Sequence, residues 1–186
     1  IPLTKKERNH LVGKLNRYFD HNILIYELYP MQDEAHARFN AQGRTYQYHV
    51  SQTKQPFKDA FCYYYPWRLD INKMNQAAAL LIGRKDFTSF SKLHTQVNNN
   101  ICTLTDALWE EKDGELVFTI RANRFLRNMV RAVVGTLLAV GRGKITMEEF
   151  IQIMECKDRC KAGTSVPAKA LFLCKVEYPE ELFLKE

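Results

Sequence analysis

No apolar run in this chain approaches the ~20 residues that a membrane-spanning helix needs. The longest apolar-rich stretch, Met129 to Val140, is shorter and carries Arg131 inside it. The opening residues, Ile1-Pro2-Leu3-Thr4-Lys5-Lys6-Glu7, lack the apolar centre of a signal peptide. They also lack an initiator Met, so the expectation is a fragment whose natural start lies upstream. Common catalytic signatures are missing too: no phosphate-binding P-loop, no dinucleotide G-x-G-x-x-G, no H-E-x-x-H and no G-x-S-x-G. Cysteines are scattered and odd in number. Cys62, Cys102, Cys156, Cys160 and Cys174 read as free, buried, inert thiols of a cytoplasmic protein. Cys156 and Cys160 are spaced to share a helix face, but no second close Cys/His pair completes a zinc site, so no metal is expected. The histidines (His10, His21, His36, His49 and His94) stand apart from one another, and none shows a partner for acid–base work. Only His36 is kept as a candidate, for its neighbours.

What is present is ordinary globular composition: 186 residues, 46% hydrophobic and 26% charged. One domain over 1–186 is the expectation, with no internal repeat or linker. Lys+Arg 27 against Asp+Glu 21 leaves a net charge of +6, which favours an anionic partner.

Local signals order the elements. Thr4-Lys5-Lys6-Glu7 fits a capping box opening a helix with Leu11, Val12, Leu15, Tyr18 and Phe19 at helical spacing. A strand is predicted over Asn22 to Tyr29, and a strand region over Ala37 to Val50 with a turn near Gln42-Gly43. Ser51 to Trp67 reads as an irregular connection. Asp70 caps a helix reaching Ile82, stopped by Gly83. Residues Arg84 to Asn100 carry Asp86-Phe87-Thr88-Ser89-Phe90 and then a polar loop. Strands Ile101 to Glu110 and Glu115 to Ala122 flank the hairpin turn Lys112-Asp113-Gly114. Phe125 to Val140 is predicted as the main buried helix. Thr146-Met147-Glu148-Glu149 opens another, to Cys156, and Ala170 to Tyr178 is the last strand. These elements argue an α+β fold: a mixed, largely antiparallel sheet with helices packed on one face.

Two clusters suit RNA. In the first, His36-Ala37-Arg38-Phe39 precedes Arg44-Thr45-Tyr46-Gln47-Tyr48. Side-chain alternation puts Arg44, Tyr46 and Tyr48 on one strand face, and Arg38 joins them if a second strand lies alongside. A guanidinium beside aromatic rings can take phosphate and an unstacked base. A plain cross-strand aromatic pair explains the same pattern. The second runs from Arg121-Ala122-Asn123-Arg124 to Arg131. Arg124, Arg127 and Arg131 share a face if the segment is helical. A solvated face is the ordinary meaning of such a run, but Arg131 lies within an apolar stretch, and a buried Arg needs a carboxylate or phosphate partner. The small-residue loop Gly163-Thr164-Ser165-Val166-Pro167-Ala168 implies no chemistry by itself.

In order along the chain, five segments resemble the bacterial tRNA pseudouridine synthase A (TruA) family. They are His36–Phe39 with Arg44–Tyr48; Asp86–Phe90; Ala122–Arg131 with Gly135; Val140-Gly141-Arg142-Gly143-Lys144; and Pro167–Leu173 with Tyr178-Pro179. The resemblance implies a pseudouridine synthase-like fold that isomerises uridine in tRNA. The implied targets lie in the anticodon stem-loop, roughly at tRNA positions 38 to 40. It implies a cytoplasmic homodimer working without cofactor or metal, through a nucleophilic aspartate. Tyr46 matches the active-site Tyr that packs on the target base. Arg131 matches the basic residue that ion-pairs with the catalytic Asp. Leu171, in preference to Leu173, matches the apolar wall of the uracil pocket. Arg38, Arg44, Asn123, Arg124 and Arg127 are the RNA-binding or rim candidates. The family's Gly-Arg-Thr-Asp motif has no counterpart here. Arg68-Leu69-Asp70 imitates it, but Asp70 is read as a helix cap. The nucleophile is therefore expected to be absent from this chain, which would be the C-terminal part of such an enzyme, inactive alone. Ala170 and Gln47 depart from residues common in the family. The alternatives are a non-catalytic RNA-binding module, and a structural domain without affinity for tRNA.

Overall fold

Six strands hydrogen-bond into one sheet, and their register decides which residues meet the core. The computed structural model describes residues 3–92 and 99–184. The strands are β1 (Gly43–Ser51), β2 (Tyr63–Tyr64), β3 (Gly83–Asp86), β4 (Ile101–Lys112), β5 (Glu115–Ala122) and β6 (Leu171–Glu177). They run in the order β2-β1-β5-β4-β3, with β6 also paired to β1. All pairings are antiparallel except the short one between β1 and β2. Helices α1 (Lys5–Tyr18), α2 (Ile71–Ala79), α3 (Met129–Gly141) and α4 (Met147–Glu155) complete an α+β fold with the mixed, largely antiparallel sheet predicted. The chain divides into two compact units: Ile1–Ala41 with Tyr178–Glu186, and Gln42–Glu177.

In the larger unit, alternation sorts the residues. Leu116, Phe118, Ile120 and Ala122 of β5 and Tyr48 and Val50 of β1 are buried. They share one cluster with Met74 and Ala77 of α2, Phe150 of α4, and Met129, Val133 and Leu137 of α3. A bulge between Leu104 and Asp106 shifts the parity of β4. Cys102 and Leu104 are therefore buried before it and Trp109 after it. Asp113 (φ 51°) and Gly114 (φ 74°) form the β4–β5 turn, as the Asp-Gly pair predicts. Beyond the end of β3, the Asn75 amide bonds both the N–H (2.8 Å) and the C=O (3.0 Å) of Trp109. That covers a stretch of sheet edge.

Both capping boxes form, at Thr4–Glu7 and Thr146–Glu149. Asp70 accepts from the Lys73 N–H at 3.0 Å and caps α2, as predicted. This helix ends at Ala79, three residues earlier than expected, and Gly83 (φ 98°) starts β3 instead of only stopping a helix. The connection over 51–67 contains a short 3-10 turn at Pro56–Lys58 and the two-residue β2. The polar loop predicted after Phe90 falls largely on 93–98, outside the described residues.

Three expectations are corrected. Asn22 to Tyr29 is not a strand: the Asn16 side chain takes both the N–H and the C=O of Ile25, each at 2.7 Å, in place of a neighbouring strand. Of Ala37 to Val50, only the part from Gly43 is strand. His36 to Asn40 is a turn in which the Asn40 side chain accepts from the His36 N–H, and His36 Nδ1 accepts from the N–H groups of Arg38 and Phe39. The main helix starts at Met129, not Phe125. Asn128 sits in the left-handed region (φ 68°) and donates to Ser165 Oγ at 2.6 Å. The Arg127 carbonyl accepts from the Lys92 N–H, outside any helical ladder. Asn tolerates this backbone better than most residues, so it breaks the helix at that point.

Candidate functional site

Two consecutive carbonyls organise one corner of the larger unit. Tyr48, fully buried on β1, donates its hydroxyl to Pro167 O at 2.8 Å. Arg131, two residues into α3, donates Nε to Val166 O at 2.6 Å, and Val166 N–H returns a bond to Arg131 O at 3.2 Å. The loop over 163–167 thus ties the start of α3 to β1. Gly135 and Gly163 permit it, because each lies where a Cβ would strike the other segment's backbone. Burial first, then the neighbouring Tyr63, push the Tyr48 hydroxyl well above its ordinary range, with Arg131 opposing. The phenol stays a neutral donor at physiological pH.

Tyr46 lies two residues before Tyr48, on the same face. Its ring meets Phe125 edge-on, with centroids 5.2 Å apart. On β6, Leu171 stands opposite Tyr48 and Leu173 opposite Tyr46. Leu171 is half-buried against the core, whereas Leu173 is 52% exposed. Tyr46, Tyr48 and Leu171 therefore share one face of adjacent strands, and the consecutive carbonyls of Val166 and Pro167 link Arg131 to Tyr48. Arg131 is held by the backbone. It is half-buried, its bonded partner is a carbonyl oxygen, and among the described residues no carboxylate comes within 4.0 Å.

The rim candidates separate. Arg44 Nη1 donates to Asn123 O at 2.7 Å. Asn123 Oδ1 is taken by the Thr103 N–H, which makes this amide part of the scaffold. Arg124 reaches Asn99 O at 3.5 Å, and Arg127 is exposed. Neither is on α3, so the shared helix face with Arg131 does not exist. By contrast, Arg121 is neutralised by Glu177 (2.6 Å) with Asp106 further off (3.8 Å). Arg38 sits on a turn of the smaller unit beside the Phe39 ring (5.6 Å), and among the described residues no second strand there carries it.

The sequence reading missed a second polar cluster. Odd-numbered residues of β1 and β5 face away from the core. There Glu115, only 7% exposed, bonds His49 Nδ1 (3.0 Å) and Lys58 Nζ (2.7 Å). With Phe61, Cys62 and Phe172 they line a cavity of about 400 Å³. Burial alone would push the Glu115 carboxyl up, but hydrogen bonds and charge from Lys58 and His49 outweigh it and hold the group below its ordinary 4.5. Cys62 is pushed up to about 11, by burial and then by Glu115. The only signal in the sequence was the strand parity of His49 and Glu115. Glu115→Gln should lower stability near pH 7 by about 1.5–3 kcal/mol, the worth of a hydrogen bond to a charged group. A carboxylate held low in the folded state stabilises fully above its unfolded pKa, and that stability is lost as pH falls through the folded value. The gap between the urea unfolding curves of variant and wild type should therefore narrow as pH falls below the unfolded carboxyl's value of about 4.3. A constant gap down to pH 3 would contradict the assignment.

All five cysteines are free, but only Cys62 and Cys102 are buried; Cys156, Cys160 and Cys174 are exposed. The expectation of five buried thiols fails because α4 ends at Glu155 and β6 turns Cys174 outward. Among the described residues, no group of three or more His, Cys, Asp and Glu could hold a metal ion, and no helix is long and apolar enough to cross a membrane.

Residues 77–179 match a family model described as tRNA pseudouridine synthase. A protein of Parabacteroides distasonis named tRNA pseudouridine synthase A is 56% identical over 93% of this chain and 69% of its own length. Its namesake in Bacteroides thetaiotaomicron is 54% identical over 95% of this chain and 66% of its own length. That of Porphyromonas gingivalis is 48% identical over 97% and 73%. The chain thus spans about two thirds to three quarters of these relatives.

Proposed function

Because this chain belongs to the tRNA pseudouridine synthase family, we propose that it supplies the base-binding wall and the arginine of a site that isomerises uridine to pseudouridine in tRNA. The supporting observation is Arg131. Its Nε is anchored on the Val166 carbonyl, and both Nη groups are left without a described carboxylate. A half-buried guanidinium in that state is poised for an anionic partner. We assign that partner as the nucleophilic aspartate of the reaction. The C1′–N1 bond breaks, the base turns, C5 bonds to C1′, the C5 proton leaves, and N1 takes up a proton. No electron is gained or lost overall, so the step needs no redox cofactor. The Tyr46 ring would pack on the extruded base, Leu171 would form the apolar wall, and Arg38, Arg44, Asn123, Arg124 and Arg127 would serve the RNA backbone or rim. Extrusion from the helical stack is the general requirement for chemistry on a base. Uridines of the anticodon stem-loop, roughly positions 38 to 40, and a cytoplasmic homodimer belong to the same proposal.

Release of tritium from C5-labelled uridine in tRNA tests it, with mapping of the modified positions. The gene product should release tritium, and Tyr46→Ala, which removes the ring that packs on the base, should slow release about tenfold per folded molecule, a cost of ~1.4 kcal/mol. Wild-type rates in the variant would remove Tyr46 from the site. tRNA binding with no tritium release by the gene product would instead establish a non-catalytic RNA-binding module.

A further inference from the structure

The far end of α3 carries a second arrangement for anions. The helix closes on a Schellman turn: Gly143 (φ 70°) N–H bonds Val140 O at 2.8 Å, and Lys144 N–H bonds Ala139 O at 2.9 Å. The turn places Arg142 over the rings of the connection before α2. Its guanidinium carbon lies 4.2 Å from the centroid of Trp67 and 5.8 Å from that of Tyr65, with Nη1 3.5 Å from the Tyr65 hydroxyl. The connection is fixed in turn: Asp70 N–H bonds Gly141 O at 2.9 Å, and Gln52 Nε2 bonds Trp67 O at 2.7 Å.

The fold orients this arginine with ring faces, where Arg121 is oriented with carboxylates. The difference decides its use. A carboxylate fixes a guanidinium and cancels its charge; an aromatic face fixes it and leaves the charge and most donors available. Arg68 and Lys144 flank it and are exposed. Among the described residues, no carboxylate comes within 4.0 Å of Arg142, Arg68 or Lys144. The nearest acid in sequence, Asp70, is engaged with the Lys73 N–H and 3.8 Å from Lys73 Nζ. Trp67 remains 51% exposed.

We infer that the Trp67–Arg142 stack, with Arg68 and Lys144, is a second RNA-docking surface that takes phosphodiester oxygens of the tRNA away from the reacting base. The inference rests on the proposed function for its partner. Eleven residues of helical rise separate Arg131 from Arg142, about 16 Å. The contact therefore lies away from the arginine that the proposed function sets beside the reacting base. A planar guanidinium suits phosphate by paired donation, and the net charge of +6 favours a polyanion.

The test is tRNA binding followed by fluorescence anisotropy over a series of salt concentrations. Arg142→Gln should weaken binding three- to tenfold at moderate salt and lower the slope of log K against log salt by about one, the counterion release of a single contact. Arg142→Lys should keep the wild-type slope and recover part of the affinity. Lys144→Gln removes a charge that holds no described partner, and it should lower the slope likewise without shifting thermal unfolding. Wild-type affinity and slope in both glutamine variants would overturn this surface while leaving the proposed function standing. A wild-type protein that does not bind tRNA at low salt would overturn both. Preferential, Arg142-dependent binding of a polyglutamate peptide would overturn it in favour of an acidic protein partner.

Discussion

Arg131→Ala is expected to slow tritium release from C5-labelled tRNA by about 100-fold or more, the loss typical of removing a group that positions or stabilises charge at a reacting centre. The expected stability change is small by comparison. The variant loses one hydrogen bond from a charged group to Val166 O, worth about 1.5–3 kcal/mol. It also removes a half-buried charge that no described carboxylate neutralises, which offsets part of that loss. The thermal midpoint should therefore move by only a few degrees. Arg131→Lys separates charge from geometry. Lysine keeps the positive charge but lacks the planar fork that can hold Val166 O and a carboxylate together. An intermediate rate is expected. A Lys variant as slow as Ala would make the fork the essential feature. An Ala variant near wild-type rate, with intact folding, would refute the role of Arg131.

The sequence was most readable where structure is local. Thr4–Glu7 and Thr146–Glu149 carry their caps within four residues, and Asp113-Gly114 carries its turn within two. Alternation in β1 and β5 marks the face that meets the core, from Tyr48 and Val50 to Phe118, Ile120 and Ala122, although Glu115 and Val117 on the other face are covered as well. Readability failed where the deciding group lies far away or has no side-chain signature. Val166 O and Pro167 O hold the candidate site together, yet a carbonyl is the same in every residue, so the loop looked empty of chemistry. Glu115 meets His49 and Lys58 across 66 and 57 residues, and no spacing rule connects them. Asn128 ended the helical reading of Arg124 and Arg127 because one left-handed residue, bonded to Ser165, outweighs an apolar periodicity that continues past it. The predicted strand at 22–29 failed in the same way: its composition suits a sheet, but its backbone bonds go to Asn16. Family resemblance supplied roles for Tyr46 and Leu171, and the register independently placed those residues on one face of adjacent strands.

Gly135→Ala should be among the most damaging single-methyl changes in this chain, and its damage should reach the candidate site. Alanine is the better helix former by about 1 kcal/mol, so propensity alone predicts stabilisation. The packing predicts the reverse. An added Cβ at residue 135 would overlap the Thr164 carbonyl oxygen and come within 3.0 Å of its carbon. Both are backbone atoms that cannot rotate away. Gly163, on the other side of the contact, lies equally close to Gly135 and Thr136, and its N–H donates to Thr136 Oγ1 at 2.9 Å. Relief requires the loop to lift off α3. A net loss of about 3 kcal/mol is expected from overpacking of this kind. The loop carries Val166 O and Pro167 O, so lifting it also releases the anchors of Arg131 and Tyr48. Activity should then fall further than the folded fraction does, measured at a temperature where the variant remains folded. Val166→Ala, which trims a nearby buried side chain but keeps the backbone, should lower stability by about 1 kcal/mol or more and leave the rate per folded molecule unchanged. Equal stability for Gly135→Ala and wild type would mean that the loop does not bear on α3 as closely as its carbonyls indicate. Lost stability with an unchanged rate per folded molecule would detach the loop from the role proposed for Arg131.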